Sequence, residues 1–99
     1  MIDMTPQEIA QLLSETSIGR LCMADTDGTP YSIPLPFCWT NGALYLRLPL
    51  TGRKGQVLSR NDRVCFEVDR FTDNLDDYAS VLVEGRLVEV TSVDEKSAV

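Results

Sequence analysis

The sequence contains no histidine. Its absence removes the commonest general base, the partner in Ser–His and Cys–His nucleophile pairs, and the commonest metal and haem ligand. Cysteine is scarce too. Cys22, Cys38 and Cys65 are widely spaced with no C-x-x-C pair, which excludes a structural zinc site and thioredoxin-like redox chemistry. Each lies in an apolar stretch, so the three are expected to be buried free thiols in a reducing cytoplasm, with no metal bound. No apolar run approaches the roughly 20 residues of a membrane span. Met1-Ile2-Asp3-Met4 lacks the basic and apolar regions of a secretory leader, so a cytoplasmic location is expected. Basic excess is also missing: fifteen acids against nine bases give a net charge of −6, the opposite of a nucleic-acid footprint.

What remains is the composition of a small globular protein. Ninety-nine residues, 43% of them hydrophobic and 24% charged, suit a single domain over 1–99 with a marginal core. The charge is unevenly placed. Between Arg47 and Arg70 six bases face three acids, a local +3. An acidic protein with one basic segment has either a solvated surface stretch or a seat for a small anion.

Thr5-Pro6-Gln7-Glu8 predicts a helix start: Thr5 caps, Pro6 takes the first helical position and Glu8 completes a capping box. Ile9, Leu12 and Leu13 follow at helical spacing. Then the period changes. Ile18–Ala24 reads as a strand, Asp27-Gly28 as a hairpin turn, and Tyr31–Trp39 as a second strand. Pro34 and Pro36 lie two apart in that strand and donate to no ladder, so one of its edges lacks a regular partner or carries bulges. Asn41-Gly42 is a further hairpin turn before Ala43–Leu48, whose Leu44, Leu46 and Leu48 share a face. Arg63–Asp69 is a strand with Val64, Phe66 and Val68 inward, Phe71–Asp77 an acidic loop, and Ser80–Thr91 the longest strand, with a bulge expected near Gly85. The chain from Ser92 reads as a cap and the first turns of a helix that begins near Asp94 and then stops. Five such strands describe a mainly β antiparallel barrel or sandwich with short helices.

One motif carries chemistry. Gly52-Arg53-Lys54-Gly55 follows a strand and is expected to precede a short helix, Gln56–Arg60. Amides at a helix N-terminus attract anions, Gly admits close approach, Arg offers a bidentate fork and Lys a point charge. Thr51 adds a hydroxyl. The turn is not a Walker P-loop, because Gly-x-x-x-x-Gly-Lys-Ser/Thr is absent.

Six segments in order carry a family resemblance: Gly19-Arg20-Leu21; Asp27-Gly28-Thr29-Pro30-Tyr31 with Ile33-Pro34-Leu35; Leu44-Tyr45-Leu46; Gly52-Arg53-Lys54; Asn61–Val68; and Ser80–Gly85. Together, over Thr5 to Val93, they resemble the pyridoxamine 5'-phosphate oxidase-related FMN-binding split-barrel proteins, in particular the nitroimidazole-reductase-like branch. The resemblance implies a six-stranded split β-barrel and a homodimer with flavin at the subunit interface. It further implies an FMN phosphate on Arg53 and Lys54 beside Thr51 and Gly52, isoalloxazine along Ile33, Pro34, Leu35 and Pro36, and Ser80 approaching the flavin. The sequence departs from the family in two places. Leu48-Pro49-Leu50 stands where the nitroimidazole-reductase-like proteins carry a histidine, and Ile33 and Cys38 stand where the oxidase has Arg and Lys. Nitroreduction and oxidation of pyridoxamine phosphate are therefore not expected. The family continues past residue 99 with a further strand, so a chain shortened at its C-terminus is expected.

The implied function is a flavin-dependent oxidoreductase acting on a small molecule, with the hydride chemistry supplied by the flavin and no catalytic acid or base assigned. The alternatives are a non-catalytic flavin-binding or sensing module and a reductase of the same fold using F420.

Overall fold

The Thr5 capping box forms as its spacing requires. In the computed structural model, which describes residues 4–48 and 51–88, Glu8 N–H donates to Thr5 Oγ1 at 3.2 Å, and Thr5 N–H donates to Glu8 Oε1 at 2.9 Å. Helix α1 follows over Pro6–Glu15. Its Leu12 and Leu13 are buried and Ile9 packs against the same cluster, so one helical face closes over the sheet.

Five strands follow: β1 (Ile18–Ala24), β2 (Pro30–Thr40), β3 (Ala43–Leu46), β4 (Arg63–Phe71) and β5 (Tyr78–Arg86), with helix α2 (Gly52–Arg60) between β3 and β4. They make one antiparallel sheet in the order β3-β2-β1-β4-β5, one half of a split barrel with two short helices. The expected sixth strand and the helix near Asp94 lie outside the described residues. Leu21, Met23, Phe66, Val68, Ala79 and Val81 alternate onto the inner face and meet Leu12, Leu13 and Val57 of the helices. Strand period and helix period thus converge on one core.

Several boundaries differ from expectation. Gly52-Arg53-Lys54-Gly55 is not a loop ahead of α2 but its first turns; Gly52 holds φ +68°, a left-handed entry that suits glycine. β3 ends at Leu46, yet Leu44, Leu46 and Leu48 do pack on the core. β4 runs on to Phe71 and β5 begins at Tyr78, because their pairing continues to the Phe71↔Tyr78 register. No bulge occurs at Gly85: the register is unbroken to Arg63↔Arg86 and Gly85 sits opposite Val64. Among the described residues β2, not β5, is the longest strand. Asn41 and Gly42 both take positive φ, 52° and 74°, the signature of a type I′ turn.

Gly19 has a packing reason. A Cβ there would lie 2.6 Å from Phe66 Cζ and 2.8 Å from the Glu67 carbonyl oxygen. The Phe66 ring therefore occupies the space a side chain would need, and it stands edge-on to Phe37 at 5.2 Å.

Candidate functional site

Thr51 precedes α2 in extended conformation, and its hydroxyl makes no capping bond to the helix. No acidic residue lies in the first turn, so nothing there offsets the positive end of the helix dipole. Arg53 is exposed and Lys54 half-buried.

Ion pairing separates the cations of the basic segment. Arg60 holds Asp25 through two bonds, Nε to Oδ1 at 2.8 Å and an NH2 nitrogen to Oδ2 at 2.7 Å. This pairing, with the Thr26 amide, pulls the Asp25 carboxyl down from 3.8 to about 2. Arg70 lies 3.7 Å from Asp77 and 4.0 Å from Glu15. Among the described residues Arg47, Arg53, Lys54 and Arg63 pair with no carboxylate, and of these Arg53 and Lys54 lie in the first turn of α2. Instead, Arg53 sets its guanidinium carbon 5.1 Å from the centre of the Tyr31 ring, a cation–π contact that brings the α2 N-terminus to the start of β2.

The two prolines of β2 stand as their spacing predicts. Phe37 N–H donates to the Ser17 carbonyl at 3.0 Å, so odd-numbered amides of β2 face β1 and even-numbered ones face the other way. On that other side β3 covers only Phe37–Thr40. Among the described residues, positions 30–36 have no partner there. Three of the four even positions are Pro30, Pro34 and Pro36, so Ser32 supplies the sole backbone donor on that edge, beside four carbonyl acceptors. Side chains split by face: Ile33 and Leu35 pack on the core, whereas Pro34 and Pro36 are exposed on the outer face.

Ser80 is elsewhere. It lies on the outer face of β5, which β1 and β4 separate from β2, and its hydroxyl donates to Glu67 Oε2 at 3.2 Å. Around it Arg20 bonds Glu67 at 2.7 Å and also pairs with Asp69. The Arg20 guanidinium lowers the Asp69 pKa, with Glu67 adding to the effect. Ile18, Phe71, Tyr78 and Leu82, each about half exposed or more, share this outer face and leave an apolar surface around the charged cluster. Sequence reasoning left Arg20, Glu67 and Asp69 unassigned as a cluster. Their signal was the alternation of charge on the outward phase of β1 and β4, which only the strand register joins.

The three cysteines are half-buried rather than buried. Cys22 and Cys65 point outward because the inward phase of their strands belongs to Leu21, Met23 and Phe66. Among the described residues no group of three metal-binding side chains occurs, and no helix is long and apolar enough to cross a membrane.

The sequence profile of the pyridoxamine 5'-phosphate oxidase family matches residues 5–99. Three solved structures illustrate the likeness. A FAD-binding protein from Mesorhizobium loti is 29% identical over 96% of this chain and 67% of its own, with a TM-score of 0.77. A hypothetical protein from Mycobacterium tuberculosis is 26% identical over 95% of this chain and 58% of its own, with a TM-score of 0.82. An F420 reductase is 25% identical over 80% of this chain and 60% of its own, with a TM-score of 0.65. The chain thus spans 58–67% of the length of these relatives. A comparison with curated proteins returned no significant match.

Proposed function

Because the chain belongs to the pyridoxamine 5'-phosphate oxidase family, we propose that its residues 1–99 form one flavin-binding domain, and that it binds FMN as a cytoplasmic, flavin-dependent oxidoreductase of a small molecule. The carrying observation is the pair Arg53 and Lys54, two cations that lie together in the first turn of α2 and meet no carboxylate among the described residues, with Arg53 already held over Tyr31. A phosphate there would meet a guanidinium fork, an ammonium and first-turn amides, with Gly52 admitting close approach and the Thr51 hydroxyl available.

The open β2 edge next to this end suits the flavin ring. Pro34 and Pro36 leave carbonyl acceptors toward a ring N–H, while Ile33 and Leu35 back the strand through the core. The flavin, when bound, supplies the hydride chemistry. This chain's part is to anchor the phosphate and orient the ring. Ser80, three strands from β2, approaches that flavin from a second copy, so the reading includes a homodimer. The exposed Ile18, Phe71, Tyr78 and Leu82 supply apolar surface for such an association. The 29% identity to a FAD-binding protein supports a flavin generally.

The test is a titration of purified protein with FMN, followed by quenching of flavin fluorescence. Wild type forms a complex. Arg53→Ala with Lys54→Ala weakens it about 100-fold or more, as loss of two charge-assisted contacts implies, while riboflavin, which lacks the phosphate, binds both proteins alike. Equal FMN affinity in the two proteins ends the proposal.

The likeness to an F420 reductase favours a second reading, in which the phosphate of F420 occupies the same end of α2. Displacement of FMN by F420 at lower concentration selects it. A non-catalytic flavin module is the remaining alternative, and fast anaerobic reduction of the bound flavin by NADH or NADPH counts against it.

A further inference from the structure

Cys22 and Cys65 stand directly opposite each other across the β1–β4 pair. Opposed residues in an antiparallel pair bring their Cα atoms to about 4.5–5.5 Å and point their side chains to the same face. A disulfide spans Cα separations of about 4.4–6.8 Å. Both residues are half-exposed on the outer face and both carry free thiols. They line an open cavity of about 590 Å³ together with Arg63, Glu84 and Arg86, which gives a small reagent access from solvent. Cys38 lies across from Tyr45 on the β2–β3 pair, away from them.

We propose that Cys22 and Cys65 form a dithiol modification site that a hydroperoxide closes into an intrachain disulfide tying β1 to β4. The site does not depend on which cofactor the α2 end holds. Burial, with the neighbouring Cys22 and the charges of Glu84 and Glu67, pushes the Cys65 thiol pKa up, which disfavours Cys65 as the first nucleophile. The first attack is assigned to Cys22, whose Sγ lies 3.5 Å from Ser32 Oγ. Its thiolate attacks one peroxide oxygen; an S–O bond forms, the O–O bond breaks, and the departing oxygen leaves as water or alcohol once protonated. The Cys65 sulfur then attacks the Cys22 sulfenic sulfur. The S–S bond forms, the S–O bond breaks, and hydroxide leaves with the Cys65 proton as water. The two thiols together give up two electrons, and the peroxide accepts them. The bridge lies partly exposed on the outer face, and exposed disulfides are the readily reduced ones, so the closure is reversible by added thiol.

The experiment treats the full chain with stoichiometric hydrogen peroxide and reads intact mass, thiol count and peptide map under non-reducing conditions. Expected are the loss of two hydrogens in mass, one of three thiols remaining, a Cys22–Cys65 linked peptide, and full recovery with dithiothreitol. Cys38→Ser behaves as wild type toward peroxide, whereas Cys22→Ser and Cys65→Ser form no intrachain bridge. Retention of all three thiols under peroxide that oxidises free glutathione overturns the proposal. A bridge to Cys38, a bridge between two copies, or oxygen added to either thiol without a link does the same.

Discussion

The guanidinium of Arg53 lies over the ring of Tyr31, its central carbon 5.1 Å from the ring centre. Through this contact the first turn of α2 is tied to the opening of β2, although 21 residues of chain and the whole of β3 lie between them. Tyr31 thereby holds a cation in place that would otherwise sweep through solvent. Replacing Tyr31 with Leu keeps the apolar packing but removes the π face, which at an exposed site contributes about 0.5–1 kcal/mol. FMN affinity is expected to fall roughly 2–5-fold on this ground. Isothermal or fluorescence titration checks it; an unchanged dissociation constant means that Tyr31 does not orient Arg53 for the ligand.

Gly19 marks a close approach between β1 and β4. A methyl group there meets both the Phe66 ring and the Glu67 carbonyl at 2.8 Å. The ring can tilt only by disturbing its edge-on contact with Phe37, and the carbonyl belongs to the β1–β4 ladder. Gly19→Ala is expected to destabilise by about 1–3 kcal/mol, as overpacking does. Urea unfolding reads this as a lower midpoint with an unchanged slope; a wild-type midpoint contradicts the packing account.

The Asp25–Arg60 pair predicts acid sensitivity. Arg60 and the Thr26 amide depress the Asp25 carboxyl from 3.8 to about 2. A carboxyl depressed in the folded state stabilises fully above its unfolded value, and that contribution is lost as pH falls from about 4 toward 2. Asp25→Asn is therefore expected to be less stable than wild type at neutral pH and to lose less stability across that acid window. Thermal melts of both proteins from pH 6 to pH 2 measure it. Parallel curves mean that the pair does not contribute.

The prolines of β2 predict a change in association. An edge with a single backbone donor makes a poor template for another strand. Pro34→Ala with Pro36→Ala restores two amides on the open stretch of 30–36 and is expected to raise the light-scattering mass above that of wild type. If the double variant elutes as wild type does, the open edge is blocked by something other than its missing donors.

Much of the scaffold was legible from local pattern. The Thr5-x-x-Glu8 box, the Asn41-Gly42 turn and the alternation Val64, Phe66, Val68 act over a few residues, and each appears in the structure where expected. The unpaired edge of β2 was also legible, because a proline lacks a donor in any context. The bulge at Gly85 and the start of β5 were misplaced. Strand length there follows from pairing with β4, which extends to Phe71↔Tyr78, and pairing is a property of two segments at once.

The division is therefore one of range. By itself the sequence determined the Thr5 cap of α1, the Asn41-Gly42 turn, the strand faces and the grouping of bases around Arg53 and Lys54, since those follow from backbone chemistry and period, whereas the start of α2 at Gly52 did not follow from them. Only the tertiary structure decided which of those bases remain free. Arg60 is claimed by Asp25 across 35 residues and Arg70 by Glu15 and Asp77, whereas Arg53 meets Tyr31. It also decided that two cysteines 43 residues apart face each other. Charge and thiol partners are chosen by distance in space, and strand register sets that distance.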